Sequence, residues 1–408
     1  MIERPSLRVY GQAGVLPLRS PCPAGCKFCY ETHLPKLVPN VKLTRSPAYD
    51  DMAFADFRSG LVGSDHPVTP VSPVFVDEGV VHYSSMSDIF CQGLSAEQLE
   101  EIIRHNVGKE RRELATTGNH LDAELMLRMT ERYPDTFRLH FSLVTLDDDL
   151  RERVFTKPAP ASEILRIVGV LREPKIYLCN LDPAQTIRDL ELVQRHAQPG
   201  ARVQIARMHC TRMHPEDIRT LARQSAFGWD VVARWISDHR AALSNIAEIG
   251  FQAPPEGYAW TFRNELRTWL EPRGLGVGDV VLTSPAAAQT LREHVVPSSA
   301  TVLPVFDSLG ASTSFTTTIS TENAIQALRS LGQQLTRILV PSSMYWVQDG
   351  YSIDGRPVAQ LGAEFPDSRI EVIDVPHEVR RARLTLAQCL DYFAQNPGAA
   401  TAGDHRPF

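Results

Sequence analysis

A chain of 408 residues, 43% hydrophobic and 22% charged, can bury a large core and has the length of two domains. Its net charge of −6 disfavours a phosphate-dominated partner such as nucleic acid, though a local basic groove stays open. The opening Met1-Ile-Glu-Arg-Pro-Ser6 has no apolar signal core, and no stretch approaches the roughly 18 apolar residues of a membrane span. Seven cysteines are an odd and sparse count for a secreted disulfide scaffold, so a cytoplasmic protein without a membrane partner is expected.

In chain order, a strand is predicted over 15–18, and directly after it comes Cys22-Pro-Ala-Gly-Cys26-Lys-Phe-Cys29-Tyr30. Thiolates spaced C-x3-C-x2-C on one loop can hold three corners of a four-iron, four-sulfur cube, and no fourth cysteine follows nearby, so one iron is left open. A zinc site with His33 as fourth ligand is the alternative reading of the same thiols. Residues 36–73 form a proline-punctuated insertion without clear period, either a cover for the site or a surface excursion. Further strands are predicted over 79–83, 112–116, 137–144, 175–179 and 202–206. Amphipathic stretches separate them, and the one from Ser95 opens on a capping box with Gln98. Alternation of this kind up to about residue 249 reads as repeated βα units on a parallel sheet. A second, smaller α/β unit begins near 264, with strands over 280–283, 301–306, 337–340 and 369–373 and a helix over 321–331; the Gly/Ala/Pro-rich residues 396–408 form a tail.

In parallel βα architectures the reacting groups gather at the C-terminal strand ends, where the loops converge. The turn after 79–83 supplies Ser84, Ser85 and Asp88, acceptors for an ammonium group or a self-capping serine turn. Strand 137–144 carries Ser142, either a ligand contact or a small core residue. Cys91, Cys179 and Cys210 all fall on the same mouth side, as inert packing or as catalytic or thiophilic groups; His209 and His214 lie beside Cys210. Cys389, in a C-terminal helix, reads as structural.

The cysteine spacing, with aromatic Phe28 before the last cysteine, resembles the signature of the radical S-adenosylmethionine (SAM) superfamily. The resemblance implies a partial (β/α)6 barrel over 1–263, a [4Fe–4S] cluster on Cys22, Cys26 and Cys29, and SAM chelating the open iron with Phe28 near its adenine. It carries the methionyl-amine role to Ser84, Ser85 and Asp88, where many members instead have a glycine-rich turn ending in glutamate. It gives Ser142 the SAM carboxylate, with Arg153 or Lys157 as charged helpers. Strand 137–144 and its sequel resemble the spore photoproduct lyase-like branch, with Lys157 where that branch has glutamate. Residues 264–395 resemble the C-terminal DUF512 domain of some members, through Leu309-Gly-Ala-Ser-Thr-Ser-Phe315 and the Val340-Pro-Ser-Ser-Met344 segment.

Together with the acidic charge, the resemblance implies an enzyme that reductively cleaves SAM, takes its electron from flavodoxin or ferredoxin, and acts on a small molecule. Chain length, single cluster motif and mouth-side thiols are also compatible with the arsinothricin-biosynthesis members, which transfer a 3-amino-3-carboxypropyl group to arsenite. A 5′-deoxyadenosyl-radical enzyme modifying nucleic acid and a metal-binding scaffold are the other readings.

Overall fold

The computed structural model describes residues 24–29, 75–77, 80–83, 88–91, 95–97, 99, 100, 103, 112–208, 210–252, 259–306, 319–341, 344, 352, 354, 356–373 and 384–396. The predicted strand at 15–18, the insertion at 36–73, Cys22, His33, Ser84, Ser85, Gln98, His209 and residues 309–315 lie outside them.

Alternating apolar runs become the strands β1 (Phe75–Asp77), β2 (Val80–Tyr83), β3 (Arg112–Thr116), β4 (Phe137–Val144), β5 (Lys175–Cys179), β6 (Ala201–Ala206) and β7 (Ile246–Gln252). They form one sheet in sequence order, with β2 to β7 parallel and β1 antiparallel at one edge. Six parallel strands agree in number with the expectation but not in membership, since β7 was not predicted. Its run Ile246-Ala-Glu-Ile-Gly-Phe-Gln252 is broken by Glu248 and Gly250 and lacks a β-branched block. The sheet is open among the described residues.

Between the strands lie α1 (Ala123–Arg132), α2 (Asp148–Val154), α3 (Ala161–Val168), α4 (Pro183–His196), α5 (Glu216–Gln224) and α6 (Trp229–Asp238). Every parallel crossover steps in the same direction, and right-handed crossovers of that kind put their helices on one face. The core agrees: Leu139, Phe141, Ile176, Leu178, Val203, Ile205 and Phe251 pack with residues of α1, α3, α4 and α6. Strand side chains alternate, so the opposite face carries His140, Ser142, Lys175, Tyr177, Cys179 and Gln204. There His140 stacks on Tyr177 at 4.2 Å between centroids, and Ser142, Tyr177, Gln204 and Gly250 stand level on four adjacent strands. A Cβ on Gly250 would come 2.7 Å from Gln204 Oε1, so the glycine makes room for that amide.

The second sheet is four-stranded and wholly parallel, in the order β11 (Arg369–Ile373), β10 (Arg337–Pro341), β8 (Asp279–Thr283), β9 (Thr301–Pro304). Its order reverses, so helices cover both faces: α7 (Arg263–Leu270) and α8 (Pro285–Thr290) on one, α9 (Thr321–Ser330) and α10 (Ala359–Glu364) on the other. The central strand β8 is accordingly buried throughout. Residues 384–396 depart from the expected grouping with this unit. β12 (Leu384–Thr385) pairs antiparallel with β7, and α11 (Leu386–Gln395), opened by a Thr385/Gln388 capping box, lays Cys389, Tyr392 and Phe393 on the first core. The apolar stripe of α11 finds there the outer side of β7 and α6.

Gly228 precedes α6 at φ +69°, and a Cβ there would overlap the Pro183 ring at the start of α4. Gly228→Ala is expected to cost on the order of 2 kcal/mol, from left-handed strain plus overlap, read as a lowered urea midpoint.

Candidate functional site

β4 ends in an irregularity: its register with β5 shifts between Ser142 and Val144. Val144 has φ +67°, and Thr145 N–H donates to Leu143 O at 2.8 Å, a γ-turn of the rare positive-φ form. A β-branched residue there carries about 1–3 kcal/mol of strain, and such strain persists only where surroundings over-determine it.

Arg151 of α2 supplies that determination. Fully buried, it donates from Nη1 to Leu143 O (2.9 Å) and Thr145 O (3.1 Å), from Nε to Ala159 O (3.2 Å), and from Nη2 to Asn119 Oδ1. Burial lowers its pKa to about 10, which leaves it charged at neutral pH. Asn119 Oδ1 also accepts from Ala159 N–H at 3.2 Å, while its Nδ2 is buried without a hydrogen bond. Helix α2 is capped by Asp147, which accepts from Leu150 N–H at 2.9 Å.

The cysteine loop docks on the far end of α2. Cys26 and Phe155 form an antiparallel bridge, Lys27 N–H donates to Val154 O (2.8 Å), and Thr156 gives both N–H (2.9 Å) and Oγ1 (3.0 Å) to Gly25 O. Lys27 Nζ adds a bond to Glu152 O at 2.7 Å. Gly25 adopts φ +68°, and a Cβ on it would lie 3.0 Å from Thr156 Cβ. The Phe28 ring meets Phe155 edge-on at 5.6 Å, and the Arg151 guanidinium lies 5.0 Å from the centre of the same Phe155 ring. Cys26, Phe28 and Cys179 pack on an apolar cluster that includes Val144, Phe155, Met208 and Cys210.

Cys26, Phe28, Cys179 and Cys210 therefore meet at one end of the sheet. Cys91 closes a 3-10 turn, Ile89–Cys91, beside the end of β3, with its thiol donating to Asp88 O at 2.9 Å. The Asp88 carboxylate accepts from Phe90 N–H, Thr116 Oγ1, Thr117 N–H and Thr117 Oγ1 at 2.7–3.0 Å. A carboxylate offers about four lone-pair directions, and Asp88 uses them to hold the loop after β3. Ser142 lies on the polar face, half-buried, opposite Tyr177. His214 is buried, with Nδ1 accepting from Thr211 N–H at 2.8 Å.

None of the described cysteines is in a disulfide, and no three described His, Cys, Asp or Glu side chains form a metal site. Cys22, needed for a triad, lies outside the described residues. Cys29 N–H donates to Cys26 O at 3.2 Å, and Cys26 packs on the apolar cluster; two half-buried thiols on one short loop are the donor type that an iron–sulfur cluster takes, so the described residues fit such a group.

Sequence reasoning missed Arg151 and Asp189. Asp189 on α4 is fully buried and accepts at Oδ1 from Gln185 Nε2 (2.7 Å) and Leu146 N–H (3.2 Å). Burial raises its pKa to about 6, and also pushes the Cys179 thiol up to about 12, with Asp189 adding to the latter. The signal that could have found it was position: Asp189 falls on the stripe Thr186, Leu190, Val193 that faces the core. Compared with known proteins, the chain matches no family model, no curated protein and no solved structure.

These contacts lead to two expected outcomes. Gly25→Ala is expected to speed hydrogen exchange at the Lys27 and Thr156 amides by tenfold or more, about 1.4 kcal/mol of local opening, while the global unfolding midpoint stays near that of the parent. Asp189 holds its proton more tightly when folded, at about 6 against 3.8. Its contribution is therefore full below about pH 4, falls as pH rises through 6 and stays lost above. Between pH 4 and 7.5 the parent should lose on the order of 3 kcal/mol more stability than Asp189→Asn, measured by urea unfolding at both pH values.

Proposed function

We propose that this chain is a radical SAM enzyme in which Cys22, Cys26 and Cys29 hold a [4Fe–4S] cluster, SAM binds beside them, and a small molecule is received on the polar face of the sheet. The observation that carries the reading is the docking of the Cys26–Cys29 loop on residues 154–156, at the end of the sheet where β4 and β5 finish. When bound, the reduced cluster would supply the electron that breaks a carbon–sulfur bond of SAM, giving either methionine and, with a hydrogen atom taken from the substrate, 5′-deoxyadenosine, or methylthioadenosine and a 3-amino-3-carboxypropyl group passed to the substrate.

The chain's own residues bind and orient. Phe28, held edge-on by Phe155, offers a flat apolar surface for an adenine. Ser142 and Gln204 offer hydroxyl and amide groups one layer below the mouth, and Val144, Phe155 and Met208 give the half-buried Cys26 an apolar backing. The reading takes the unit from β8 to β11 as DUF512-like and a flavodoxin or ferredoxin as the electron source.

The narrower proposal, transfer of the aminocarboxypropyl group to trivalent arsenic, is supported by Cys179 and Cys210 sharing the apolar cluster of Cys26. With its pKa pushed up to about 12, Cys179 meets arsenite as a thiol. The S–H and an As–OH then condense to S–As and water, the sulfur proton leaving with the hydroxyl.

The test is anaerobic reconstitution, iron and sulfide analysis, then reduction with dithionite in the presence of SAM, with and without arsenite. About four irons per chain are expected, and few in Cys26→Ala or Cys29→Ala. Methylthioadenosine with a carbon–arsenic product supports the narrower proposal, and 5′-deoxyadenosine alone sinks it. A cluster that never cleaves SAM leaves the scaffold reading in its place.

A further inference from the structure

We propose that Arg151 is the fixed positive charge that raises the reduction potential of the cluster held by Cys22, Cys26 and Cys29, a positioning residue that acts across Phe155. The inference rests on the function proposed above and concerns a residue outside the cysteine motif.

Four donors of the Arg151 guanidinium end on neutral acceptors: three backbone carbonyls and the amide oxygen of Asn119. The nearby carboxylates are directed elsewhere. Asp148 Oδ1 accepts from Ala161 N–H at 2.8 Å, at the start of α3, and Asp189 Oδ1 accepts from Gln185 and Leu146. These bonds satisfy the donors without a direct ion pair, so Asp148 and Asp189 offset the charge only through space.

The field of the guanidinium is directed by the fold at the cysteine loop. The guanidinium stacks on the ring of Phe155, and the Phe155 backbone is the one bridged to Cys26. Cys26 is among the groups whose charge acts on Arg151, after Asp148 and Asp189. Phe155 belongs to the buried apolar cluster of Val144, Val154 and Leu181 on which Cys26 packs, so the interaction is screened less than at a surface. A thiolate-bound cluster gains negative charge on reduction, and a nearby fixed cation stabilises that form more than the oxidised one. A purely structural arginine would need the same hydrogen bonds but would leave the potential unchanged when its charge alone is cancelled.

Asn119→Asp cancels the charge while keeping an acceptor oxygen for Nη2 and Ala159 N–H. The reconstituted full-length protein, without SAM, is titrated with reductant and followed by electron paramagnetic resonance, and its circular dichroism is recorded alongside. The expected result is a midpoint potential shifted to more negative values in Asn119→Asp and unchanged in Arg166→Gln, an exposed charge on α3. Should Asn119→Asp not fold, Arg151→Lys and Arg151→Gln serve in its place: the lysine variant should stay close to the parent and the glutamine variant should shift negative. Folded variants that hold the cluster at the parent's potential overturn the role of Arg151 and leave the enzyme assignment standing. A parent protein that takes up no iron–sulfur cluster overturns both.

Discussion

The guanidinium of Arg151 is taken fully out of water, and a charge so placed is stable only where its donors are met. Those donors tie together pieces of chain that are otherwise unrelated: both arms of the γ-turn ending β4, the loop before α3 through Ala159, and the loop after β3 through Asn119. Positive φ at Val144 is tolerable because both flanking carbonyls, Leu143 and Thr145, share one donor group. The aromatic ring one turn further on, Phe155, then carries the arrangement outward to Cys26 and Phe28. Remove the buried cation and the strand end and the cysteine loop lose their common reference.

The two sheets solve burial in different ways. Strands added in one direction leave a sheet with helices on one face, and the opposite face keeps the half-buried His140 and Tyr177 and the buried Lys175 and Gln204, residue types that a two-sided apolar core would reject. In the second sheet the order reverses, helices take both faces, and β8 is buried from end to end. Function is therefore to be sought on the first sheet. The return of β12 and α11 covers its last strand, so the edge of β7 is not left open to another chain.

Much of the fold could be read in the chain before folding. Strands β3, β4, β5 and β11 coincide with their predicted spans because each is a short apolar or alternating run bounded by turn residues. β7 escaped, since Gly250 is explained only by the amide of Gln204 on the neighbouring strand. The destination of α11 escaped for a related reason: an amphipathic stripe states that a helix is buried, not against which sheet. Cys179 and Cys210 fall at strand ends by counting alone, whereas the bond from the Cys91 thiol to Asp88 O is one no spacing reveals.

The sequence alone determined the α/β class, the order of the strands' apolar runs and the clustering of three thiols on one short loop, because these are local properties of spacing and residue type. Only the tertiary structure decided which groups surround that loop. A buried arginine, a carboxylate on a core-facing helix stripe and a strained valine acquire meaning through partners roughly 6 to 40 residues away, brought close by strand register and the crossovers of the sheet.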